Sequence, residues 1–229
     1  MFLPLVFALA AGDPETSQAP PLPEGVDHIL YGTPVLEQGM QEIEDLLGVK
    51  PIRGGRHPDF GTHNALLSLG KTTYLEIIAP DPDLTQPPRG TLFDLDQLEQ
   101  SRLITWVLRS ELIEEQVDAA EDGGLNLGEL TSGSRKKPDG TVLSWRSTDP
   151  YPMPLDGAVP FLIAWGLTPH PASGSPKAGK LVGLRVEHPD PRAVREALDI
   201  LGVEMQVREG PRISLVATIQ TDNGEVVVR

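Results

Sequence analysis

The chain has 229 residues, 39% of them hydrophobic, enough for one fairly large domain or two small ones with a proper core. Its 33 acidic residues outnumber 19 basic ones, and a formal net charge of −14 repels phosphate backbones and anionic membrane surfaces. There is no cysteine, which excludes disulfides, thiolate metal sites and thiol nucleophiles.

The N-terminus reads MFLPLVFALAAGDPETSQAPPLPEG. Its apolar run, Phe2 to Ala11, is too short to span a bilayer but has the length of a signal-peptide core. Ala8-Leu9-Ala10 resembles a small-residue cleavage site, yet no Lys or Arg precedes it. The protein is exported to the periplasm if this is a signal peptide and cytoplasmic otherwise. Residues 1–24 are expected to be a signal-like or disordered lead-in, because Asp13 to Glu24 is polar and rich in proline.

From residue 25 a pattern sets in. VDHILYG reads as a strand ended by Gly32. Leu36, Met40, Ile43 and Leu47 then recur at spacings of three and four ahead of Gly48, an amphipathic helix with a C-terminal stop. VKPIRGG reads as a broken strand, and HNALLSLG and TTYLEIIAP as two strands joined by a turn at Gly70-Lys71. This first module runs over 25–82, and proline content marks 83–100 as a linker.

The order of elements then recurs over 101–170. RLITWVLRS is a strand. ELIEEQVDAAEDGG is a helix with Leu112, Gln116, Ala119 and Ala120 on one side. LNLGELTSGSRKKPDG holds a strand edge and a turn, and TVLSWRST and VPFLIAWG are strands. A third recurrence fills 171–229: strand KLVGLRVEHP, helix DPRAVREALDILG with Pro191 in its first turn, and strands VEMQVREGP, ISLVATIQT and EVVVR. The helix endings DLLGV and DILGV nearly coincide, which supports repetition of one supersecondary unit.

Several stretches carry a family resemblance: DHILYGTPVLEQGMQEIEDLLGVKP, GGRHPDFGTHNALLSLG, YLEIIAPDPD, SRKKPDGTVLSWR, VPFLIAWG and HPDP. Together they make the chain similar to the vicinal oxygen chelate superfamily, in its glyoxalase-like domain branch. The resemblance implies an α+β fold of repeated βαβββ modules, each curling its sheet into a half-barrel, with a third, reduced module alongside. Paired modules would form a cleft for a divalent metal (Zn, Mn, Fe or Ni) or a small ligand. It implies a metal-dependent lyase, isomerase or dioxygenase acting on a small oxygen-rich molecule, or else a non-catalytic binding protein using the same cleft. A small-molecule ligand is the expected partner and a homodimer an open option, whereas nucleic acid and membrane are not expected.

The family takes one metal ligand from a module's first strand and another from its last, which fall here on His28 and Glu76. The same alignment places Thr105 and Ile163 in module two, neither an ordinary ligand, so the usual four-ligand set is incomplete. His28 and Glu76 are then either metal ligands or a hydrogen-bonded polar pair, since a carboxylate on an apolar strand face must be paired, metal-bound or wet.

His57, in the GGRHP loop, is either a solvated turn residue or a ligand-facing proton shuttle, and Pro58 biases it toward extended backbone. His63 and Asn64 are either a strand edge or substrate-binding. Arg135 either joins Lys136 and Lys137 at a hairpin tip or turns inward to fork onto a carboxylate or phosphate. Trp145 and Trp165 form core or cleft wall, and His170 closes the cleft or is structural. Motifs for serine-hydrolase elbows, Walker loops, dinucleotide binding and HExxH metalloproteases are absent.

Overall fold

A computed structural model describes residues 19–85, 87–136 and 140–229. The signal-like apolar run and Lys137 lie outside the described residues.

Module one contains β1 (Val26–Gly32), α1 (Leu36–Leu47), β2 (Ile52–His57), β3 (Thr62–Ser68) and β4 (Tyr74–Pro80). Module two contains β5 (Arg102–Arg109), α2 (Ile113–Asp122), β6 (Leu130–Lys136), β7 (Val142–Thr148) and β8 (Phe161–Ala164). The two modules share one 8-stranded sheet, in the order β2-β3-β4-β1-β5-β8-β7-β6. In each, the first strand pairs in parallel with the last, β1 with β4 and β5 with β8. Antiparallel pairing of β1 with β5 joins them, and the sheet curls until its edge strands β2 and β6 approach each other.

Both faces of this sheet are covered, which is why β1 is buried along its whole length. On the outer face, Ile29, Leu75, Ile77 and Trp106 pack against α1, α2 and the third unit. The helix α1 turns Leu36, Gly39, Ile43 and Leu47 inward and ends at Gly48 in left-handed geometry (φ 73°). In α2 the buried side is set by Ile113 and Ala120, whereas Leu112 is 60% exposed. The expected face was thus off by one position, because Leu112 precedes the helix and does not share its periodicity.

The third unit has β9 (Lys180–His188), α3 (Pro191–Ile200), β10 (Gln206–Glu209), β11 (Ser214–Thr221) and β12 (Gly224–Val228). Its element order repeats that of the modules, but its strand order is β10-β9-β11-β12. Here the chain returns from α3 directly beside β9, in parallel, so the last strand lies at the edge. The result is a separate 4-stranded sheet backing the larger one.

Two expectations need correction. Residues 83–100 are not a bare linker: Leu92, Phe93 and Leu95 are buried over the inner face of the large sheet. The end of the lead-in is also packed. Pro20 and Pro23 are buried, and the Pro20 carbonyl oxygen lies 2.3 Å from where a Cβ on Gly183 would stand, so only glycine admits it there.

Candidate functional site

The concave face of the large sheet encloses a cavity of about 70 Å³. Strand alternation decides which side chains reach it. From module one come His28 and Leu30, Asn64, and Tyr74, Glu76 and Ile78, with His57 at the end of β2. Module two supplies Arg135, Trp145, Ser147, Phe161 and Ile163, with Trp165 just beyond β8. Loop residues Phe60, Leu92 and Phe93 close it over. Seven of the nine side chains singled out in the sequence, Trp145 and Trp165 among them, therefore meet in one aromatic-walled cleft, and Glu76 lies on its floor.

His63 does not join them. It is next to Asn64 in β3, so its side chain points to the opposite face and lines a separate surface pocket with Arg53, Arg56 and Asp81. His170 also stands outside the cavity, behind its wall, with its Nε2 3.1 Å from Asp27 Oδ2.

Asp27 is a candidate side chain that the sequence pattern hides. It is fully buried and accepts hydrogen bonds from His28 Nδ1 at 2.8 Å and Trp165 Nε1 at 3.1 Å, besides its contact with His170. Regular alternation would point it away from His28. The β1–β5 register slips between Val26 and His28, leaving Asp27 as an extra residue in a bulge that re-aims its side chain. Burial opposes ionisation of Asp27, but hydrogen bonds and charge from His170 and His28 outweigh it and hold the carboxyl well below its ordinary range.

An ionised Asp27 fixes the proton of His28 on Nδ1, which leaves Nε2 facing Glu76 Oε2 at 3.5 Å, across a gap open to the cleft. Tyr74 stacks on the His28 ring, with centroids 4.3 Å apart. The other oxygen of Glu76 accepts from Asn64 Nδ2 at 2.7 Å. Asn64 Oδ1 accepts from the Gly55 amide at 2.9 Å, and its second N–H points at His57 Nε2, 3.5 Å away. All four hydrogen-bonding positions of the Asn64 amide but one lone pair are thereby committed. His57 Nδ1 in turn meets Thr62 Oγ1 at 3.1 Å. Burial lowers the His57 pKa, as do Arg135 and His63, while Glu76 pulls it the other way, so the ring is neutral near pH 7.

These residues do not complete a site for a resident divalent metal. His28 and Glu76 supply two donors from module one. The matching positions in module two hold Ile163, which is apolar, and Thr105, whose hydroxyl donates to Gly157 O at 3.2 Å. Among the described residues no group of three or more His, Asp or Glu side chains converges as ligands. The Arg135 guanidinium, lining the same cavity, opposes a further cation.

Of the cleft residues missed in the sequence, Phe161 was within reach, since it alternates with Ile163 along β8. Phe93 was hidden in a proline-rich stretch, and its placement depends on a positive φ of 60°.

A Staphylococcus aureus hypothetical protein of known structure is 13% identical, with 88% of this chain and 96% of that chain covered at a TM-score of 0.64, which shows a shared fold. A Mycobacterium tuberculosis methylmalonyl-CoA epimerase is 14% identical over 63% of this chain and 88% of its own, at a TM-score of 0.39. A substituted form of the Streptomyces coelicolor methylmalonyl-CoA epimerase in complex with 2-nitronate-propionyl-CoA is 13% identical over 64% and 97%, at 0.42. A search of curated proteins finds no significant match. The model of the glyoxalase-like domain family matches residues 26–202, spanning both modules and the start of the third unit. The chain is thus a member of the glyoxalase-like domain family, within the vicinal oxygen chelate superfamily.

Proposed function

We propose that this protein binds a small oxygen-rich organic molecule in its cleft and moves a proton on it, as an isomerase or lyase of glyoxalase type. The observation that carries this reading is the buried chain Asp27–His28···Glu76–Asn64–His57, which holds a carboxylate and a neutral imidazole at fixed positions on one cavity. Glu76 is the candidate base: one oxygen is tied down by Asn64, while the other faces His28 and the cleft. His57 is the candidate shuttle, because a neutral ring can accept a proton and return it. His28, oriented by Asp27, presents Nε2 as an acceptor to a substrate hydroxyl. The aromatic walls exclude water and hold the apolar part of the ligand.

Proton transfer between these side chains and a bound molecule needs no metal. The metal-dependent version retains only two of its ligands, and metal content tests it. Near-stoichiometric divalent metal in the purified protein, lost in the His28→Ala/Glu76→Ala double variant, would reinstate it. A second reading, a binding protein without chemistry, is favoured by the absence of ordinary metal ligands at Ile163 and Thr105.

Solvent exchange separates the two. The protein is incubated in D2O with a panel of small carbonyl compounds, including 2-oxoaldehydes, and followed by proton NMR. Deuterium appearing next to a carbonyl with the wild type and not with Glu76→Gln supports the enzyme. Ligand-induced stabilisation with no exchange supports the binding protein.

A further inference from the structure

Arg135 enters the cavity from β6 and is only 6% exposed, yet its Nη1 has no hydrogen-bond partner. Among the described residues no carboxylate pairs with it. A buried guanidinium nitrogen left this way is expensive, because it has lost its water without gaining an acceptor in return. The structure also makes room for it. A Cβ on Gly54 of β2 would stand 3.1 Å from Nη1 and 2.2 Å from Asn64 Oδ1, so glycine there keeps both groups in place. Arg135 is also close enough to His57 and Tyr74 for its charge to act on both rings, which places it beside the candidate acid–base groups.

We infer that the cleft takes an organic monocarboxylate, whose carboxylate docks on Arg135 while its apolar body lies against Phe60, Trp145, Phe161 and Trp165. A planar guanidinium and a planar carboxylate match in geometry and in charge. A phosphate monoester fits the site less well. It carries about two charges against a single cation, and the ionised Asp27 behind His28 repels a dianion. The cavity of about 70 Å³ also limits the ligand to a small molecule. This inference rests on the cleft being the substrate site, but not on any reaction there.

The test uses the full-length protein and titration calorimetry. Pyruvate, 3-methyl-2-oxobutanoate, benzoate and phenylacetate are each compared with the matching carboxamide, and phenyl phosphate is run alongside. At least one carboxylate is expected to bind about 10-fold or more tightly than its amide, a preference that disappears in Arg135→Gln and is partly kept in Arg135→Lys. Without ligand, Arg135→Met is expected to melt at or above the wild-type temperature, since it removes an unpaired buried charge.

The inference is overturned if no carboxylate outbinds its amide, if the preference survives in Arg135→Gln, if phenyl phosphate binds best, or if Arg135→Met melts well below the wild type. Deuterium exchange on neutral carbonyl compounds with no carboxylate preference would overturn it while leaving the proposed chemistry standing. Carboxylate binding without exchange would do the reverse.

Discussion

Asp27 Oδ1 lies 2.8 Å from His28 Nδ1, although neighbours on a regular strand point to opposite faces. The bulge between Val26 and His28 makes this contact, and it turns a second carboxylate toward the cleft histidine from behind. Asp27→Asn keeps the shape and removes the charge. It leaves His28, His170 and Trp165 around a weaker acceptor, and is expected to cost about 2–4 kcal/mol of stability by urea unfolding. Nitrogen NMR on the histidine rings adds a readout that loss of packing alone would not move: the Nδ1–H form of His28 gives way to a mixture of tautomers.

Stability should depend on pH in two windows. The folded pKa of His57 lies below its ordinary value, so the unfolded chain binds the extra proton first. Its contribution is full above about pH 6.5 and is lost as pH falls below that value. Asp27 has a depressed folded pKa, so its contribution is full above its ordinary value of 3.8 and is lost as pH falls further. Urea midpoints measured from pH 8 down to pH 3 should fall in both ranges. His57→Gln should weaken the fall in the upper range, where His63 also contributes, and leave the lower range as it is, and a profile unchanged by that substitution would count against a buried neutral His57.

Glu76→Gln can still accept the hydrogen bond from Asn64 through its amide oxygen, and it removes a charge from a nearly dry site. The melting temperature is expected to stay at or above that of the wild type. Any deuterium exchange catalysed in the cleft should drop by about 10²–10⁴-fold, the usual contribution of a positioned base. A variant that folds and exchanges at the wild-type rate would remove Glu76 from the chemistry.

Backbone strain is concentrated in the two short turns beside the cleft. Among the described residues, the non-glycine residues with positive φ are Phe93 and Asp94 in one, and Met153, Leu155 and Asp156 in the other. Asp94 is exposed at φ 50°. Asp94→Gly therefore removes strain without removing a packed side chain, and is expected to stabilise the protein by about 1 kcal/mol. Calorimetric melting checks it, and a lower melting temperature would mean that the Asp94 side chain does more than tolerate its backbone.

The elements of both modules were legible in the sequence because local signals suffice for them. A helix needs only the three-and-four spacing of Leu36, Ile43 and Leu47 with a glycine stop at Gly48, and a strand needs only a short run such as YLEIIAP. Residue alternation along YLEIIAP also places Tyr74, Glu76 and Ile78 on one face. It could have separated His63 from Asn64 by the same rule.

What only the tertiary structure decided depends on pairing between distant segments. The register slip that turns Asp27 toward His28 exists only because β1 pairs with β5, far away in the chain. The burial of Phe93 arises where a proline-rich stretch folds over the inner face of the sheet. Strand order in the third unit rests on where the chain lands after α3, which a repeat of element order does not specify. Arg135 becomes an unpaired cation in the cavity only when the curled sheet brings its edge strands β6 and β2 together. Sequence periodicity records which way a residue faces within its own element, whereas what it faces is set by long-range contacts that no local pattern encodes.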